Sequence, residues 1–289
     1  MGYICICFVS VLGSTIFKLD SLLIIRSGII VQTMTNFNLI AQEIASQEGC
    51  TMLGLVASAD ERYPLYQIKR GRGKKVLISA GVHGDEPAGV HAILQFLKGE
   101  IQKYEDRFAF TIFPCVNPYG FVKSTKRNAQ DLNINRQFKT GSAAEEVNLI
   151  MAQLEKDGYE FTMDLHETGP DSFMDPDEPS EEHPSEFYLW ETCEDKELRV
   201  GHEIVKNIEK MGLPVCKWPT IYDDINNGGV IWYPENCGTA IYAAGTTFEA
   251  YLHTHHTKQA FTIETPSGWK LKDRILAHIV SLRKVLEKK

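Results

Sequence analysis

The chain has no basic surplus. Its 30 lysines and arginines stand against 38 aspartates and glutamates, a formal net charge of -8 over 289 residues. No basic cluster interrupts that balance, which argues against nucleic acid as a partner. The chain has no CxxC pair either. Its seven cysteines, Cys5, Cys7, Cys50, Cys115, Cys193, Cys216 and Cys237, are odd in number and scattered. Such spacing excludes a zinc ribbon or a dithiol redox pair and fits reduced thiols in a cytoplasmic protein. No repeat and no long low-complexity linker appears. No apolar run reaches the length needed to span a bilayer. The apolar stretch from Ile4 to Phe17 is short, lacks a positively charged start and has no clear cleavage site before Lys18, so it is a poor signal peptide. Residues 1–36 read as a tail or a misassigned start, with Met34 opening a more ordinary N-terminus.

What is present is a globular chain with 43% hydrophobic residues, enough for one large core. Residues 37–289 read as a single catalytic domain. Lys75 to Val82 is an apolar run of buried-strand type. A glycine-containing turn follows, then Pro87 to Leu97 with Val90, Ile93, Leu94 and Leu97 at helical spacing, Pro87 suiting the first turn. Phe108 to Val116 reads as a second strand, stopped by Asn117-Pro118-Tyr119-Gly120. Ala143 to Leu154 reads as a helix, Phe161 to Leu165 and Ala260 to Ile263 as further strands. Ile275, Ile279, Leu282 and Leu286 mark a closing amphipathic helix. The alternation predicts an α/β fold, a mixed and largely parallel central sheet flanked by helices. The segment Asp171 to Glu197, rich in Asp, Glu and Pro, reads as a surface loop or as an insertion shaping the mouth of a site.

In such sheets ligands gather beyond the carboxyl ends of the strands, and three polar groups fall there. Gly81-Val82-His83-Gly84-Asp85-Glu86 places an imidazole and a carboxylate three residues apart at a turn entering a helix. Zinc takes nitrogen and oxygen ligands of this kind. Alone, the pattern is equally an acidic helix N-terminus. Asp164-Leu165-His166-Glu167 ends a strand with a histidine between acids, and either Asp164 or Glu167 suits its other ring nitrogen. Glu264 closes the last strand, where an apolar setting makes an unused carboxylate costly; near a metal it suits general-base work.

The ordered set His83-x-x-Glu86, Asn117-Pro118-Tyr119-Gly120, Asn135-Arg136, His166, Tyr242 and Glu264 resembles the zinc carboxypeptidase family, often called M14, over roughly residues 70 to 270. The resemblance implies an α/β sandwich and one Zn2+ per chain held by His83, Glu86 and His166. It implies Glu264 as general base and Tyr242 as a tyrosine that covers substrate. Many bacterial members read T-R-x-N-x-x-G-x-D-L-N-R where this chain reads Thr125 to Arg136. Asn128, Asn135 and Arg136 fit; Asn133 replaces the usual aspartate and Asp131 the usual glycine. Strict register puts Lys126 at the oxyanion-stabilising arginine, and a one-residue shift puts Arg127 there; Arg127 is the expected residue. Asn135 and Arg136 are expected to grip a substrate carboxylate. Glu249, seven residues after Tyr242, falls near the family's specificity position and would favour a basic group.

The expected activity is hydrolysis of the C-terminal amide of a small peptide. The wording of the motifs suits equally an N-acyl-amino-acid deacylase of the related succinylglutamate desuccinylase/aspartoacylase type, or a murein-peptide amidase. A zinc-containing binding protein that has lost catalysis is the non-enzyme alternative. The sequence leaves the oligomeric state open.

Overall fold

In the computed structural model, residues 10–11, 14–15, 39–57, 61–169, 183–235 and 246–289 are described. The chain divides into two compact units, Met1–Ile40 and Ala41–Lys289. In the first, Ser10–Val11 pairs antiparallel with Ser14–Thr15.

The second unit is built on eight strands: β1 (Cys50–Ala57), β2 (Arg62–Gly71), β3 (Lys74–Ala80), β4 (Phe108–Phe113), β5 (Phe161–Thr168), β6 (Tyr188–Thr192), β7 (Val230–Tyr233) and β8 (Ala260–Pro266). They form one sheet in the order β7-β6-β8-β5-β3-β4-β2-β1. The pairs β7/β6, β8/β5, β5/β3 and β3/β4 are parallel, while β6/β8, β4/β2 and β2/β1 are antiparallel. The mixed, largely parallel sheet expected from the alternation is therefore present. The helices that accompany it among the described residues include α1 (Pro87–Gly99), α2 (Pro118–Lys123), α3 (Glu145–Met151), α4 (Gly201–Lys210), α5 (Phe248–His255) and α6 (Leu271–Lys288).

Alternation of side chains along a strand gives the sheet two chemically different faces. Met163, Leu165, Phe261 and Ile263 look one way, toward α1 and α6. Gly89 on α1 sits so close to Leu165 and Ala80 that an added Cβ would lie 2.9 Å from the Leu165 Cβ, so only glycine lets this helix approach the sheet. The other face carries Ser79, Thr162, Asp164, His166, Thr168, Thr262, Glu264 and Tyr188. All eight residues of β5 are buried. A strand buried on both sides reads as a near-continuous apolar run, and β5 departs from this with Thr162, Asp164, His166 and Thr168 on one face and Glu167 on the other. Buried polar groups need partners, and the site below consists of those partners.

Two expectations change. The strands extend past their sequence-read ends: β5 to Thr168 and β8 to Pro266. And the acidic segment after His166 is not loop throughout. Tyr188–Thr192 enters the sheet between β7 and β8, with Leu189 and Tyr188 buried. The apolar and aromatic residues Phe187, Tyr188, Leu189 and Trp190 outweigh the acidic composition around them; residues 170–182 of this segment lie outside the described residues. Cys50, Cys115, Cys193 and Cys216 form no disulfide. Among the described residues no helix is long and apolar enough to cross a membrane.

Candidate metal centre

His83 leaves the carboxyl end of β3 in a tight turn. Gly84 makes that turn possible: a Cβ there would lie 2.0 Å from the Gly120 carbonyl carbon. Gly120 belongs to the Asn117-Pro118-Tyr119-Gly120 stretch. Asn117 caps α2 by accepting from the Gly120 backbone N–H at 2.8 Å, and Pro118 occupies its first turn, both favoured choices at a helix start. The stretch thus forms the wall against which the His83 turn packs. Glu86 is the residue just before α1.

His83, Glu86 and His166 are all buried, and each offers one ligand atom within 4.8 Å of the others. Glu86 joins the two rings. Its Oε1 lies 2.6 Å from His83 Nδ1 and its Oε2 lies 2.8 Å from His166 Nδ1. The opposite ring nitrogens are each held by an oxygen. His166 Nε2 lies 2.9 Å from Asp164 Oδ2, and Ser79 donates to Asp164 Oδ1 at 2.7 Å. His83 Nε2 lies 3.3 Å from Asn133 Oδ1. The same Oδ1 accepts from the Asn135 backbone N–H at 3.0 Å, which orients the amide with its oxygen toward His83. Asp164 and Asn133 thus hold the Nε2 side of the two rings, and both Nδ1 atoms are turned toward the Glu86 carboxylate.

Two Nδ1 atoms and a carboxylate gathered within 4.8 Å, with the far ring nitrogens anchored by Asp164 and Asn133, fit the donor chemistry and supporting arrangement of a zinc site. The three residues fit the ion that the resemblance implies. Burial opposes ionisation of Glu86, but the charges of His83 and His166 outweigh it and hold its pKa well down. Burial also opposes protonation of His166, yet the Asp164 and Glu86 charges raise its pKa.

Asp164, not Glu167, is the partner of His166. Glu167 points to the opposite face, as its position next to His166 in a strand requires. There it accepts from the Ala88 N–H at the start of α1 and from Arg274 of α6. Its pKa is pushed up to about 7, chiefly by burial.

Glu264 stands directly opposite His166 in the parallel β8/β5 register and opposite Tyr188 in the antiparallel β8/β6 register. Thr168 donates to its Oε2 at 2.9 Å. Its pKa is pushed up to about 8: burial dominates, the His166, Thr168 and Lys126 interactions pull down, and the Glu86 charge adds to the rise.

The loop over residues 124–138 meets the site at several points. Asn128 is buried; its Oδ1 accepts from the Gln130 and Leu132 N–H groups, and its amide donates to Glu146 of α3 at 3.0 Å. Arg127 turns back on its own loop, Nη1 donating to the Asp131 carbonyl at 2.8 Å. The charge of Lys126 acts on both Glu264 and Asp85, lowering the pKa of each. Asn135 Oδ1 accepts from the Phe248 N–H at the start of α5, 2.9 Å away, and Arg136 Nη1 donates to the Asn135 carbonyl at 2.9 Å. Tyr242 lies outside the described residues.

Glu249 is placed differently from the expectation that it presents a charge to ligand. It is buried on α5, and its two oxygens accept from Thr192 and Thr262. It ties α5 to the polar face of the sheet through β6 and β8. Asn133, Thr168 and Tyr188 were not singled out as site residues from sequence. Thr168 stands two residues beyond His166, a spacing that places both on one face of a strand; nothing local marks Tyr188.

Residues 72–185 match the succinylglutamate desuccinylase/aspartoacylase catalytic domain. Among curated proteins, none matches the sequence. The structure is similar to that of a proposed metallopeptidase from Shewanella amazonensis, at 21% identity over 89% of this chain and 92% of that one, with a TM-score of 0.66. It is also similar to a metallo-carboxypeptidase from Burkholderia cenocepacia, at 20% identity over 88% and 68% of the two chains and a TM-score of 0.56. A metallo-carboxypeptidase from Pseudomonas aeruginosa in complex with (2-guanidinoethylmercapto)succinic acid matches at 17% identity over 86% and 67%, with a TM-score of 0.58. The resemblance read from the motifs is thereby borne out: the fold is that of the metallocarboxypeptidases, and the first part of the domain matches their desuccinylase/aspartoacylase relatives.

Proposed function

We propose that this chain, folded as a metallocarboxypeptidase, is a zinc-dependent hydrolase that cleaves the C-terminal amide bond of a small peptide. The observation that carries the reading is the convergence of His83, Glu86 and His166 beside Glu264, each at a strand end or the turn following one. A zinc ion held by those three residues supplies Lewis acidity toward an amide carbonyl and toward water.

The protein's own groups do the rest. Glu264 takes a proton from the attacking water on its carboxylate and delivers it to the departing nitrogen. A base that must also act as an acid works best when its pKa lies close to the working pH. Lys126 opposes the negative charge that develops on the carbonyl oxygen. Arg136 grips the substrate carboxylate, with Asn135 holding the loop against α5. Tyr242 closes over the bound substrate. Asp164 and Asn133 keep the histidine tautomers in place.

A second reading is favoured by one specific finding, the match of residues 72–185 to the desuccinylase/aspartoacylase catalytic domain. In it the same groups hydrolyse an N-acyl amino acid. The small carboxylate-bearing ligand of the Pseudomonas aeruginosa enzyme suits either substrate class.

The test is a panel of benzoylglycyl dipeptides and N-acyl amino acids, assayed with the zinc-loaded protein and with Glu264→Gln. Zinc-dependent release of a C-terminal amino acid, lost in the variant, supports the peptidase. Release from N-acyl amino acids alone moves the protein to the deacylase branch. Full zinc occupancy with no turnover on either class sets both aside in favour of a binding role.

A further inference from the structure

Glu264 is a buried carboxylate with rotatable bonds between its Cα and its working oxygens. A general base must present one oxygen to the water it deprotonates, and small misplacements are costly. The strand register places its Cα, but it does not settle which way the carboxylate turns.

Two hydroxyls supply that constraint. Thr168 Oγ1 donates to Glu264 Oε2 at 2.9 Å. Thr168 has a single proton, and when Glu264 is ionised, the state in which it acts as a base, its carboxylate can only accept, so in that state the proton is committed to Glu264. Thr168 Oγ1 also lies 2.8 Å from the Tyr188 hydroxyl. With the threonine proton already used, Tyr188 is the donor in this second bond. The chain of donation therefore runs in one direction: Tyr188 to Thr168 to Glu264.

The far end is fixed by packing. Tyr188 is fully buried. Its ring meets Trp190 edge-on at 5.2 Å between centroids, and Trp190 stacks on Tyr222 at 6.2 Å with 8° between planes. Tyr222 and Asp223 both have positive φ, 50° and 66°, at the tip between the short strands Thr220–Ile221 and Asp224–Ile225. Non-glycine residues hold that conformation at a cost, met here by the stacking of Tyr222 on Trp190 and its hydrogen bond with His183. Tyr188 is thus a rigid anchor, and Thr168 transmits its position to the carboxylate. Among the described residues, the other oxygen of Glu264, Oε1, receives no hydrogen bond and is left for water.

We propose that Thr168 and Tyr188 are positioning residues for Glu264: their relayed hydroxyls hold Oε2 and so aim Oε1 at the reacting water. The proposal rests on the reading of Glu264 as general base. Neither residue is required to touch substrate or metal.

The experiment compares wild type with Thr168→Val, Thr168→Ser and Tyr188→Phe. Thr168→Val is nearly isosteric and removes only the hydroxyl, while Thr168→Ser retains it. The first readout is the infrared carboxylate stretch of Glu264, assigned by its disappearance in Glu264→Gln and measured without substrate. It is expected to shift in Thr168→Val, to shift less in Tyr188→Phe, and to return in Thr168→Ser. The second readout is turnover of whichever panel substrate Glu264→Gln fails to cleave. Thr168→Val is expected to lower kcat by about tenfold or more, with KM and bound zinc within about twofold of wild type and with Thr168→Ser restoring most of the loss.

An unshifted band in Thr168→Val, or a serine variant that fails to restore it, overturns the proposal. A band that behaves as expected while Glu264→Gln keeps full turnover overturns the general-base reading instead, and leaves the positioning of the carboxylate standing.

Discussion

His166 and Glu264 face each other directly across the parallel β5/β8 pair. The backbone ladder itself brings a candidate metal ligand and a buried carboxylate side by side, on the same face of the sheet. Glu264→Gln keeps the shape and removes the proton acceptor. It is expected to lower kcat by about 10²–10⁴-fold, the usual contribution of a general base, while zinc still binds at one equivalent. Steady-state kinetics beside metal analysis of the purified variant checks this.

Removing a ligand has the opposite signature. His166→Ala or Glu86→Gln is expected to lose stoichiometric zinc, and with it turnover. Chelation of the wild type is expected to reproduce that loss and added zinc to reverse it. Zinc content and activity measured on the same samples decide the matter.

The oxygens behind the histidines are expected to matter nearly as much. Asp164→Asn weakens the acceptor on His166 Nε2, and Asn133→Leu removes the one on His83 Nε2. Each is expected to weaken zinc binding by about 10–100-fold, the usual cost of losing such a partner. Competition with a chelator of known affinity measures it.

Lys126 and Arg127 are adjacent, and the lysine charge lowers the Glu264 pKa. Lys126→Met is expected to lower kcat by about 10²-fold, as loss of an oxyanion-stabilising group does. Arg127→Met should cost less than about tenfold. The reverse order in kcat would return the role to Arg127.

Glu249 makes a prediction about stability. Its pKa is pushed from 4.5 to about 7 by burial, against the hydrogen bonds from Thr192 and Thr262. The folded state therefore holds a proton that the unfolded state releases. Stability from this group is fully present below about pH 4.5 and is lost as pH rises through about 7. The loss is on the order of 3 kcal/mol. Glu249→Gln, always neutral, escapes it. Thermal melts should find the variant close to wild type at pH 4.5 and more stable at pH 8.

Much of this protein was legible in one dimension. The apolar runs at Lys75–Val82, Phe108–Val116 and Phe161–Leu165 marked strands because burial on both faces leaves little room for polar residues, and each was found. The Pro87 helix start followed from a ring that suits the first helical turn. His83, Glu86 and His166 stood out because they follow such strands, and the structure gathers them within 4.8 Å.

Other features depended on which strands become neighbours, and local sequence does not contain that information. Tyr188–Thr192 lies in acidic surroundings and was read as loop, but pairing with β7 and β8 buries it. The choice of Asp164 over Glu167 for His166 was settled by strand alternation: residues two apart share a face and adjacent ones do not. The path of the loop that carries Lys126 and Arg127 depends on a distant tie, Asn128 to Glu146 of α3. Glu249 lost its expected outward role because α5 packs it onto Thr192 and Thr262. The sequence by itself determined which groups are capable of metal and proton chemistry, since that lies in residue type and strand-end position. Only the tertiary structure decided which of them meet, because hydrogen bonds form between side chains that the sheet register brings together from distant parts of the chain.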